Sequence, residues 1–116
     1  MIVRVVILLV LLGLVPAGVR AAGFVSGTDD LPLMDGLAEV AGSSTVFDQP
    51  SGRFVESYAT GRMTEDAVAE FYRATLPHLG WTSAGDLVFT REGERLTIVL
   101  TREGDDLAAH FSLSPE

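Results

Sequence analysis

Cysteine is absent from the 116 residues, so the chain has neither a disulfide framework nor a lipidated N-terminal cysteine and must hold itself together by burial. Lysine is absent as well: the eight cationic residues are all arginine, and they face sixteen Asp and Glu. Nucleic acid and anionic membrane surfaces attract the opposite sign of charge and are excluded as partners. Histidine occurs only at positions 78 and 110, too few for a zinc site with three or four convergent ligands. Neither Asp29-Asp30 nor Glu103-Gly104-Asp105-Asp106 has the spaced oxygens and distal bidentate Glu of a calcium loop. Ser112, His110 and an acid lack the strained elbow and oxyanion donors that activate a serine. No catalytic residue, metal or cofactor is expected.

Long apolar runs are confined to Val5–Val15, which follows the basic Met1–Arg4 and precedes the small-residue stretch Pro16–Ala22. Val19-Arg20-Ala21 fits the cleavage rule of a secretory signal peptide, and residues 1–21 are read as one. The alternative is an inner-membrane anchor formed by uncleaved residues 5–19. At ~1.5 Å per residue such a helix falls short of the ~30 Å hydrocarbon core. Cleavage removes Arg4 and Arg20 and leaves six arginines against sixteen acids, a formal charge of −10 with no stable membrane span. The expected location is the periplasm or the exterior.

Residues 22–44 form an N-terminal arm whose hydrophobes tuck against the remainder, with one short helical turn near Met34–Ala38. Residues 45–116 form an α+β domain. Within it Val68, Phe71, Tyr72, Thr75, Leu76 and Leu79 recur at helical spacing. Thr64 is a suitable N-cap, Glu65 and Asp66 suit the first turn, and Gly80 suits the left-handed position after the last. Trp81 is then returned onto Leu76, while Pro77 loosens the final turn.

Val46–Asp48 and Arg53–Thr60 read as strands joined at Gln49-Pro50-Ser51-Gly52. Asp48 and Arg53 flank that turn; they either pair across the hairpin or form a small polar recognition site. After Trp81 the tetrapeptide Thr90-Arg91-Glu92-Gly93 recurs as Thr101-Arg102-Glu103-Gly104. With Glu92-Gly93 and Glu103-Gly104 as two-residue loops, Phe89 faces Leu96, Leu87 faces Ile98, Leu100 faces Leu107 and Leu96 faces Phe111. Every apolar residue then lies on one side, which a loop of odd length would not achieve; because Glu suits the positive φ of a type I′ turn poorly, a four-residue loop of the same parity is the alternative. Arg91–Glu94 and Arg102–Asp105 ion pairs would close the two hairpins. The predicted fold is a two-layer β-β-α-β-β-β arrangement, an antiparallel sheet with one amphipathic helix packed on one face. Thr97, Val99, Thr101, Ala108, His110 and Ser112 make up a mostly polar outer face.

Leu31–Met34, Phe47–Arg53, Phe71–Trp81 and Arg91–Glu94 together resemble a group of small exported proteobacterial proteins with no assigned activity. The resemblance spans most of the chain beyond the leader and implies no catalytic or binding residue. The Phe71–Trp81 segment alone recurs in other bacterial envelope proteins and implies a helix packed on a sheet.

Two function classes follow. One is a non-catalytic exported module that binds a protein or envelope component, with Asp48, Arg53, Thr97, Val99 and His110 as candidate contacts. The other is a small periplasmic hydrolase or lyase whose site the sequence does not reveal. The export reading predicts a mature N-terminus at Ala22, and intact mass of the envelope fraction checks it: retention of residues 1–21 would establish the anchor instead.

Overall fold

Thr64 starts the helix. Its hydroxyl accepts a hydrogen bond from Ala67 N at 3.1 Å, so one of the unpaired first-turn amides is satisfied. In a computed structural model describing residues 23–116 the chain is α+β, mostly antiparallel sheet with one short helix. The expected leader 1–21, and the alternative anchor within it, lie outside the described residues. Among the described residues no helix is long and apolar enough to cross a membrane.

The elements are β1 (Ala38–Glu39), β2 (Thr45–Gln49), β3 (Gly52–Gly61), α1 (Glu65–Thr75), a 3₁₀ turn (Leu76–Leu79), β4 (Thr82–Gly85), β5 (Val88–Arg91), β6 (Glu94–Glu103) and β7 (Asp106–Pro115). They form one seven-stranded antiparallel sheet in the order β1-β3-β7-β6-β5-β4, with β2 sharing the β1 edge of β3. Two of these strands, β1 and β4, have no counterpart in the sequence reading. β1 replaces the expected helical turn: Leu37 N donates to Met34 O at 3.0 Å, closing a turn at Asp35-Gly36, and Ala38–Glu39 then pairs with Ala59–Thr60. Gly36 is a poor helix residue, and the open edge of β3 supplies the backbone partners that a lone helical turn would lack. β4 is too short and polar to show a period. It turns back on β5 through Asp86-Leu87.

The core joins Val68, Ala69, Tyr72 and Leu76 of the helical segment to Phe89, Leu96, Ile98, Leu107, Ala109, Phe111 and Leu113 of the sheet. The arm adds Val25, Leu31 and Leu37, all buried. Pro77 has no N–H to continue the α-helical ladder, and the chain tightens into 3₁₀ geometry from Leu76. Gly80 at φ 90° then reverses it, and Trp81 N donates to Leu76 O at 3.1 Å. That reversal carries Trp81, not Leu79, into the core. Leu79 is 38% exposed, contrary to its expected place in the buried stripe, and Phe71 is only half-buried.

The two copies of the repeated tetrapeptide turn differently. Glu92 (φ 49°) and Gly93 (φ 82°) form the first loop, and Phe89 faces Leu96 as expected. In the second, Gly104 (φ 65°) and Asp105 form the loop, so Leu100 faces Ala109 and Leu107 faces Arg102. The expected Leu100–Leu107 pairing is displaced by two residues. An even slip keeps every side chain on its face, and a left-handed glycine at the first loop position suits a type II′ turn while relieving Glu103 of positive φ. Both expected ion pairs are also replaced. Arg91 pairs with Asp30 at 2.9 Å, donates to Leu79 O at 2.8 Å and lies 4.3 Å from the Trp81 ring centre. Arg102 donates to Met63 O at 2.7 Å.

Tyr72 ties the helix and the sheet to the arm. Its ring meets Phe111 edge-on at 5.5 Å, and its buried hydroxyl donates to Pro32 O at 2.9 Å and accepts from Met34 N at 3.1 Å. Burial pushes its ionisation up from 10.0 to about 12, against the smaller opposing effect of the Met34 amide. The folded value exceeds the unfolded one, so this stabilisation is complete below pH 10 and disappears as pH rises through about 12. Tyr72→Phe should cost ~1–3 kcal/mol at neutral pH by leaving two backbone groups without their partner, and it should remove that alkaline loss. Urea unfolding from pH 8 to pH 12 measures both; equal stability of variant and parent at pH 8 would place the hydroxyl outside the tie.

Candidate functional site

Alternation along three neighbouring strands builds the outer face. β3 pairs with β7 and β7 with β6, so Tyr58, His110 and Val99 stand in one row, and Glu56, Ser112 and Thr97 in the next. The Tyr58 and His110 rings stack with centroids 4.2 Å apart and planes 3° from parallel. Nε2 of His110 lies 2.9 Å from Glu56 Oε1. Farther along, Phe47 stacks on its cross-strand neighbour Phe54 at 5.1 Å. Phe47, Tyr58 and Val99 are each more than 40% exposed. The face is mostly polar, as expected, but carries two apolar groups, Phe47 with Phe54 and the row Tyr58–His110–Val99, with the polar row Glu56–Ser112–Thr97 between them.

The five sequence candidates separate into two groups. Thr97, Val99 and His110 share the outer face. Asp48 and Arg53 are register partners beside the Pro50-Ser51 loop, on the opposite face from Phe47 and Phe54. Their expected cross-hairpin ion pair does not form: Arg53 reaches Glu94 Oε2 at 3.3 Å and Gly27 O at 3.3 Å. Sequence reasoning missed Tyr58, Glu56, Phe47 and Phe54. Period two across Phe54, Glu56 and Tyr58 was the available signal, but the β3–β7 pairing that places them beside His110 is non-local.

The chemistry available on this face is limited. His110 is stacked on one side and engaged by Glu56, and no hydrogen bond connects it to Ser112. Among the described residues no three His, Asp or Glu converge as metal ligands. A second polar cluster lies where the arm meets β3. Ser57 is fully buried and donates to Glu39 Oε2, while Ser26 donates to the same carboxylate through its amide at 2.9 Å and its hydroxyl at 2.7 Å. Burial alone would push Glu39 up, but the hydrogen bonds from Ser57 and Ser26 outweigh it and hold the carboxyl below its ordinary 4.5. No imidazole faces Ser57, so the hydroxyl acts as a donor that fastens β1 and Ser26 to β3.

A cleft of about 430 Å³ lies between α1 and β6, with Glu65, Asp66 and Arg73 on one wall, Leu100 on the other and Asp86 at its end. Arg73 Nη2 is 2.6 Å from Asp86 Oδ1.

Ser57→Ala should raise the Glu39 pKa toward 4.5 and cost ~1–2 kcal/mol near neutral pH, typical of losing a hydrogen bond to a charged group. Because the folded value is depressed, Glu39 contributes stability above its unfolded pKa that is lost as pH falls through the folded one. The variant should accordingly show a shallower loss of stability below pH 4.5. Carboxyl NMR titration together with denaturant unfolding reads both effects, and an unmoved Glu39 would contradict the assignment.

No family model, curated protein or solved structure matches the chain, so its function must be read from these surfaces.

Proposed function

We propose that the chain is an exported, non-catalytic binding module, a two-layer domain in which α1 covers one sheet face and the other face receives a protein or envelope component. The observation that carries this reading is the exposed apolar surface of the outer face: Tyr58 and Val99 on either side of the half-buried His110, and Phe47 stacked on the half-buried Phe54. Contiguous exposed apolar surface edged by polar groups is typical of interaction sites, and aromatic side chains are enriched at such interfaces. Thr101 borders the Tyr58–His110–Val99 row on one side, and Glu56, Ser112 and Thr97 form its polar edge on the other, towards Phe54 and Phe47. The resemblance to small exported proteobacterial proteins and the leader-like residues 1–21 support export to the periplasm or beyond. The acidic surface supports a partner that is neither nucleic acid nor an anionic membrane.

Val99→Lys combined with Phe47→Lys should abolish partner capture by cross-linking in the cell envelope. Substitution at exposed positions typically costs within ~0.5 kcal/mol, so the melting temperature should stay near that of the parent apart from the lost Phe47–Phe54 stacking. Unchanged capture of the same partner would refute the face assignment. Turnover of an envelope substrate by the purified protein, stopped by a single carboxylate or His110 substitution, would replace the binding module with the hydrolase or lyase reading.

A further inference from the structure

β5 covers only the first part of β6. Their register runs from Arg91↔Glu94 to Val88↔Thr97, and the last bond is Ile98 N to Leu87 O at 3.0 Å. Backbone groups of alternate residues point to the same side of a strand, so those of Leu100 and Arg102 point past the end of β5. Among the described residues no backbone or side-chain group bonds to them. The other side of β6 is different: β7 pairs with it along the whole strand, from Glu94↔Pro115 to Glu103↔Asp106.

Leu100 at the start of this uncovered edge lines the cleft of about 430 Å³, across from the first turns of α1. Glu65 and Asp66 on α1 give the opening its net negative charge. Its one cation, Arg73, is already engaged by Asp86. Free edges are commonly blunted by a proline, a bulge or a charge projecting outward. β6 has no proline here, and its Arg102 folds away to Met63 O and Asp105 O.

The geometry points to strand addition at Leu100–Arg102 by an extended, cationic segment of a partner protein. Such a segment continues the line of β5, exchanges main-chain hydrogen bonds with Leu100 and Arg102, and places Arg or Lys against Glu65 and Asp66. A second copy of this chain fits less well: its exposed strands β2 (Thr45–Gln49) and β4 (Thr82–Gly85) contain no cation, and the formal net charge of −8 on each copy opposes pairing of two free β6 edges. The inference rests on the binding-module reading but uses a surface separate from the Tyr58–His110 row.

The test is NMR of the purified exported protein titrated with a capped hexapeptide alternating arginine and valine, and with its glutamate–valine counterpart. The basic peptide should shift the Leu100 and Arg102 amides and slow their hydrogen exchange, and the acidic peptide should do neither. Arg102→Pro, which removes an edge donor, should abolish binding. Glu65→Asn with Asp66→Asn leaves the edge and the Arg73–Asp86 pair intact and should weaken binding about tenfold while flattening its salt dependence. Equal binding of the acidic peptide, unweakened binding by the asparagine variant, or no binding of the basic peptide would overturn the inference. Shifts confined to Tyr58 and His110 would overturn it while leaving the binding module standing, and loss of capture by the single variant Phe47→Lys, which leaves the cleft-lining Val99 in place, tests that module independently.

Discussion

The Tyr72 hydroxyl is the contact on which the rest of the structure depends. A buried phenol without partners would be costly, and here both partners come from the arm, at Pro32 and Met34. The helix can therefore bury Tyr72 against Phe111 only when the arm is in place. Two further polar ties act in the same direction: Glu39 with Ser57 and Ser26, and Asp30 with Arg91. In a chain without disulfides these contacts make residues 23–44 part of the packed unit. Val25, Leu31 and Leu37 complete the burial that the polar ties direct.

Arg91 shows how a side chain expected to close a hairpin is drawn elsewhere. Within the hairpin its partner would have been Glu94, an exposed pair of small value. The fold offers the Trp81 ring, the Leu79 carbonyl at the end of the 3₁₀ turn, and Asp30. Glu94 is left to Arg53, which binds the far end of β3 to β6. Local ion pairs are exchanged for ties between separate elements, which explains why neither expected hairpin ion pair forms.

The surfaces left over have different characters. One sheet face presents stacked rings and Val99, suited to a partner with apolar surface of its own. The end of β6 presents backbone groups beside carboxylates, suited to a main chain with positive side chains. Both arise from the same strand: Val99 points outward from β6, while the backbone groups of its neighbour Leu100 point sideways.

Short-range chemistry was legible in the sequence. Thr64, Pro77, Gly80 and Trp81 specify how the helix begins, loosens and ends, because each acts through backbone groups only a few residues away. Hydrophobic parity likewise assigned Leu96, Ile98, Leu107, Ala109 and Phe111 to one face, because period two survives any even change of register. That same degeneracy hid the two-residue slip between β6 and β7. β7 must also match β3, with Val55 facing Leu113, and that second neighbour lies more than fifty positions away in the chain. Only the tertiary structure could bring Tyr58 and Glu56 to His110, supply the Tyr72 hydroxyl with the arm's backbone, and end β5 before β6. Each of these is a contact between segments whose local sequence carries no record of the other.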